Sequence, residues 1–133
     1  MAAVSQAFYE YPGRQGCVIG IIPCQESSVN PKRGYPNQWV EIPILTHLPL
    51  SGARGSEPLS RNHINVLTSD VIVALPGGTG TASEVELALS YQRPIVAFIT
   101  STDEIPGVCE DVPVRSTLEE VRSFVQSKLD LVV

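Results

Sequence analysis

The residues of this chain whose types and spacing could do chemistry lie in Leu75-Pro76-Gly77-Gly78-Thr79-Gly80-Thr81-Ala82-Ser83-Glu84. The apolar run Val71-Ile72-Val73-Ala74 precedes them, and a helical pattern from Val85 to Tyr91 follows. A buried strand that turns through glycines into a helix start leaves several backbone N–H groups unpaired and pointing outward. The positive end of the helix dipole stands behind them, and together they make an anion site. Glycine permits both the tight turn and the close approach of main chain to a ligand. The expected chemistry is therefore the holding of a phosphate by Gly77, Gly78, Thr79, Gly80 and Thr81. The hydroxyls of Thr79 and Thr81 could donate to phosphate oxygens, cap the helix, or do both.

The elements that must position this turn follow from periodicity and punctuation. Residues 1–10 read as a helix with Ala3, Ala7 and Phe8 on one side, broken by Gly13 and Gly16. The run Cys17 to Pro23 is continuously apolar, the mark of a strand covered on both faces. Residues 24–38 read as a surface loop, and Val40 to Leu45 as a second strand, short or at an edge because of Pro43. Residues 46–58 are a further loop. Ser60 can cap a helix from Arg61 to about Ser69, with Ile64, Leu67 and Thr68 as candidates for its inward side. Beyond the glycine turn, Val85, Ala88 and Leu89 should pack on the sheet. Ile95 to Ile99 is a buried strand and Val112-Pro113-Val114 a short last one. Thr117-Leu118-Glu119-Glu120 is a capping box opening a helix with Leu118, Val121, Val125 and Leu129 inward. Alternating apolar strands and helices predict an α/β domain over residues 1–133, its parallel sheet carrying helices on both faces.

Composition removes several function classes. A formal net charge of −5 gives no basic face to neutralise a nucleic-acid backbone. No apolar run approaches the ~20 residues of a membrane span, and the start lacks the layout of a secretory signal, so a cytoplasmic setting is expected. Cys17, Cys24 and Cys109 lack metal-type spacing and read as buried, reduced thiols. No metal site is expected. Pyridoxal phosphate needs a lysine in the pocket, and Lys32 and Lys128 lie in a polar loop and on the last helix, away from the glycine turn. The Gly-x-Gly-x-x-Gly fingerprint of dinucleotide enzymes is absent.

The stretch Pro76 to Glu84 matches Pro-Gly-Gly-x-Gly-Thr-x-x-Glu and resembles the Lonely Guy family of phosphoribohydrolases, long mislabelled lysine decarboxylases. The same Rossmann-like superfamily includes molybdenum cofactor carrier proteins. Val18-Ile19-Gly20-Ile21-Ile22-Pro23, Ile42-Pro43-Ile44-Leu45-Thr46 and Arg61-Asn62 look like that carrier branch. Family members open with a strand, a helix and a second strand ending in a glycine-rich turn. Met1-Ala2-Ala3-Val4 is similar to the helix after that turn, so the resemblance implies that the family's first two strands are not in this sequence. It also implies homodimers or higher oligomers, with Phe8, Tyr9 and the helix 81–92 as contacts.

Two functions follow from the resemblance. In the hydrolase branch a nucleoside 5′-monophosphate loses its base through an oxocarbenium-like transition state, which a carboxylate beside the ribose stabilises. Glu84 holds the matching position, and Arg61 that of the family arginine, whose planar fork can grip two oxygens at once. From the residues alone, Glu84 could equally complement a helix dipole, and Arg61 could be a solvated arginine at a helix start. Around the arginine the hydrolases resemble Glu-Arg-Lys-x-x-Met, whereas Ser60-Arg61-Asn62-His63-Ile64-Asn65 stands here. Asn62 suits the carriers, which bind a phosphorylated pterin without transforming it. The sequence therefore favours a carrier or storage protein for molybdenum cofactor, with the phosphoribohydrolase as alternative. His63, His47, Ser83, Glu86 and Tyr91 read as structural or surface residues.

Overall fold

In the computed structural model, residues 1–129 are described. Helix α1 (Ala2–Glu10) is followed by strand β1 (Ile19–Ile22), a hairpin of β2 (Cys24–Gln25) and β3 (Ser28–Pro31), and β4 (Ile42–Leu45). Helix α2 (Asn62–Leu67), β5 (Ile72–Ala74), α3 (Thr79–Ser90), β6 (Ile95–Phe98), β7 (Val114–Arg115) and α4 (Leu118–Leu129) complete the order. Strands β1 and β4 pair in parallel, Ile19 opposite Ile42, and β5, β6 and β7 form a second parallel sheet in that order. This is a Rossmann-like α/β arrangement, parallel sheets flanked by helices.

The apolar core collects around the second sheet. Strand β6 is its middle strand, and Ile95, Val96, Ala97 and Ile99 are all buried, as a continuous apolar run between two neighbours requires. Val85, Leu87 and Ala88 of α3, Val66 of α2, Ile105 and Val112 close over it. Buried Leu87 extends the expected face of α3, because that helix packs against α2 as well as the sheet.

Several expectations change. The parallel strands fall into two sheets rather than one, and α2 touches both β1 and α3 between them. The run at Cys17–Pro23 is covered only toward its end: Ile22 is buried, but Ile19 is 56% exposed. Residues 24–31, read as loop, form the antiparallel hairpin β2–β3. Strand β4 does sit at an edge, pairing with β1 alone, and Pro43 is accommodated there. Helix α2 buries Val66 rather than Leu67, which is exposed. In α4 the capping box forms, Glu120 N–H donating to Thr117 Oγ1 and Thr117 N–H to Glu120 Oε2. Only Val121 is buried among the described residues of that helix, however, and Leu118 and Leu129 are exposed, although α4 packs on β6 and the two-residue edge strand β7. Cys24 is buried, but Cys17 and Cys109 are exposed; all three are free thiols.

Candidate functional site

The glycine turn has the local geometry that its sequence demands. Strand β5 ends at Ala74, and α3 begins at Thr79 with Gly78 in the capping position. Gly77 N–H donates to the main-chain oxygen of Glu104 at 3.0 Å, which pins the turn to the segment after β6. Ala82 N–H is the first of the helix to find an intrahelical partner, the oxygen of Gly78. Among the described residues no main-chain acceptor takes the N–H groups of Gly78, Thr79, Gly80 and Thr81. Gly78 and Thr79 are exposed, Gly80 and Thr81 half-buried. A Cβ on Gly78 would meet nothing within 4 Å, whereas one on Gly77 would lie 2.1 Å from Thr81 Oγ1. A side chain at 77 would thus displace the Thr81 hydroxyl, which lies against the turn, whereas the space beyond Gly78 is open.

A short 3-10 turn, Gly52–Arg54, leans on the start of α3. Ser83, read from sequence as a surface serine, is buried and donates its hydroxyl to the oxygens of Gly52 and Thr79. A Cβ on Gly80 would come 3.8 Å from the Gly52 Cα. At Gly55 a Cβ would lie 2.6 Å from Asn62 Nδ2, 2.8 Å from Ser83 Cβ and 2.9 Å from the Gly52 oxygen. Asn62 is only 2% exposed, and its Oδ1 has no hydrogen-bond partner. Ser60 is wholly buried and its hydroxyl accepts the Asn62 N–H, but α2 begins at Asn62 with Arg61 in the capping position, one residue later than expected.

Beside this frame, Arg61 and Glu84 come together. Arg61 Nη1 stands 3.6 Å from Glu84 Oε1, and Asn65 Nδ2 donates to the same oxygen at 2.9 Å. Glu84 Oε2 takes no hydrogen bond among the described residues, and the side chain is 29% exposed. The carboxylate is therefore oriented through one oxygen by the Asn65 hydrogen bond, with the Arg61 charge close to the same atom. Asn65 was missed in the sequence; its place one helical turn after Arg61, on the same face, was the available signal.

His63 has one ring nitrogen 2.7 Å from the Tyr91 hydroxyl and the other 2.9 Å from the Glu57 oxygen, a bracket between α2 and α3. Glu86 and His47 are exposed. Lys32, expected away from the turn, donates from Nζ to Ser51 Oγ at 2.8 Å, next to the Gly52 that packs on α3. The Arg61 guanidinium carbon lies 6.0 Å from the centre of the Tyr35 ring. The polar stretch after β3 thus reaches the site, which the sequence reading did not foresee. Glu104 has its carboxyl held below the usual carboxylate range, first by the Thr100 hydroxyl and then by the N–H groups of Thr100 and Ser101. Two hollows of the surface lie elsewhere, one along α1 at Ala3, Val4, Ala7, Phe8 and Tyr11, the other where Leu89 and Arg93 meet Phe124 and Lys128. Among the described residues no group of His, Cys, Asp or Glu is arranged to hold a metal, and no helix is long and apolar enough to cross a membrane.

The model of the SLOG cluster4 family matches residues 1–127. No curated protein and no solved structure matches the chain.

Proposed function

The chain belongs to the SLOG cluster4 family, within the Lonely Guy-like superfamily, and from that premise we propose that it binds a phosphorylated, nucleotide-related small molecule at residues 77–81. The observation that carries this reading is the set of unclaimed N–H groups from Gly78 to Thr81 at the start of α3, with Arg61 beside Glu84 nearby. Four amide donors at the positive end of a helix are suited to a phosphate, and a guanidinium adds a paired contact.

Carriage without transformation is the reading we favour, with molybdenum cofactor as the ligand. Where the hydrolase pattern places a basic residue after the arginine, Asn62 stands, and it is enclosed beneath Gly55 and Ser83. Such a residue supports the scaffold and supplies no second cation to a reacting sugar. The ligand's phosphate would lie on the glycine turn, Arg61 and Glu84 would border its middle, and Asn62 would sit behind. The same reading has the protein working as a homodimer or higher oligomer in the cytoplasm.

The geometry of Glu84 favours a second reading, a phosphoribohydrolase. With Oε1 held by Asn65 and Arg61, Oε2 is available to stabilise positive charge at the sugar carbon as the N-glycosidic bond breaks and water adds. Incubating the protein with AMP and assaying free adenine separates the two. Turnover abolished by Glu84→Gln establishes the enzyme; saturable uptake of molybdenum cofactor without base release establishes the carrier. Failure to bind ribose 5-phosphate, AMP and molybdenum cofactor alike would overturn both.

A further inference from the structure

The segment Lys32–Tyr35 is bound to the site at two points, and neither is needed to hold a phosphate. It is a tight turn: Tyr35 N–H donates to the Lys32 oxygen at 3.0 Å, and Gly34 has φ +88°, the left-handed value such a turn requires at its third residue. Its first residue is fixed on both sides. Lys32 N–H donates to the Pro23 oxygen at the end of β1, and its ammonium donates to Ser51 Oγ. Ser51 precedes Gly52, which Ser83 ties to α3. The last residue, Tyr35, puts its ring 6.0 Å from the Arg61 guanidinium, which in turn stands 3.6 Å from Glu84. Yet Tyr35 as a residue is 41% exposed, beside an arginine that is itself half-buried.

We propose that Tyr35 is the stacking platform for the planar ring of the ligand whose phosphate the glycine turn holds. This rests on the glycine-turn reading above and adds the other half of the ligand to it. A phosphate on Gly78–Thr81 and a sugar or its equivalent near Glu84 leave the ring to lie past Arg61, where Tyr35 is. An exposed aromatic face beside a guanidinium is suited to a flat, polarisable ring, since stacking is indifferent to the hydrogen-bond pattern of the edge. Lys32 acts as a positioning residue: its bond to Ser51 holds the turn at a fixed height over the site.

The test is a binding series on the intact chain with three probes: ribose 5-phosphate, the carbocyclic analogue of AMP (whose base cannot be released), and dihydroneopterin phosphate. The wild-type protein should bind at least one ring-bearing probe tighter than ribose 5-phosphate. Tyr35→Ala should weaken that probe about tenfold, as loss of one aromatic stacking contact does, and leave ribose 5-phosphate unchanged. Tyr35→Phe should retain the affinity, and Lys32→Met should fall between. The purine and pterin arms identify which ring is preferred. The stacking role is overturned if neither ring-bearing probe outbinds ribose 5-phosphate, or if Tyr35→Ala weakens all three alike. If the wild-type protein binds none of the three, the glycine-turn reading falls as well, which distinguishes the two failures.

Discussion

The two parallel sheets of this chain are built from similarly apolar residues and are buried very differently. In β6 every residue from Ile95 to Ala97 is closed off, and Val96 and Ala97 have no exposed surface at all. In β4 all of Ile42 to Leu45 is exposed, with Leu45 61% open. Sequence hydrophobicity sets how much a strand can gain by burial, but neighbours decide whether it does. β6 has a strand on each side and helices over it; β4 has β1 alone. The glycine turn, Arg61, Glu84 and Asn65 all grow from elements around the better-buried sheet. From the other half, Lys32 and Tyr35 reach the site. Placement of the amide donors thus depends on the better-buried half, and reach toward the ring of a ligand on the more open one.

Truncation in each core gives the widest contrast. Ile99→Ala, at a site 2% exposed, should cost about 2–5 kcal/mol in urea unfolding, whereas Ile44→Ala, 44% exposed, should stay within about 0.5 kcal/mol. Equal losses would abolish the distinction between the sheets. Glycines sharpen it next. Gly55→Ala drives a methyl into Asn62, Ser83 and the Gly52 main chain, and should cost about 1–3 kcal/mol, while Gly78→Ala should leave stability unchanged. A neutral Gly55→Ala would show that the 52–55 turn is not clamped. Smaller still is Ser83→Ala, which removes the hydroxyl donated to Gly52 and should cost about 1 kcal/mol. Its amide-exchange protection should fall at residues 52–55 but not in β6; uniform loss would refute the clamp.

Acidification gives the smallest effect. The Glu104 carboxyl lies below its ordinary range because the Thr100 hydroxyl donates to it. A carboxylate depressed on folding contributes stability that is complete above its unfolded pKa and is lost as pH falls through the folded value. The melting temperature of the wild-type protein should therefore exceed that of Glu104→Gln near neutrality, and the gap should close well below the usual carboxylate range. A gap that persists unchanged into acid would remove the assignment.

Much of the fold could be read from the sequence, for reasons visible in particular residues. Ile95–Ile99 announced a buried strand because parallel strands covered on both faces lose their alternation, and Thr117 with Glu120 announced a capping box because both halves are local. The turn at Gly77–Thr81 was legible because strand, glycines and helix are contiguous. What escaped depends on long-range contacts. Ser83 looked like any helix serine until Gly52, far off in sequence, was brought to it. Lys32 and Tyr35 sit in a polar stretch without periodicity, and only the hairpin β2–β3, too short to show alternation, swings them to Arg61. Leu118 was misplaced because a helix stripe reports an apolar side without saying whether a partner lies opposite.

The chain contains a single tryptophan, and Trp39 packs against Tyr9 with ring centres 5.5 Å apart, beside the sparsely covered sheet. Its fluorescence is a local thermometer for that side of the molecule alone. Far-ultraviolet dichroism sums over all four helices, of which the two longest, α3 and α4, pack on the other sheet. Melting curves from the two signals need not superimpose, and the interval between their midpoints would measure how strongly one side holds the other together.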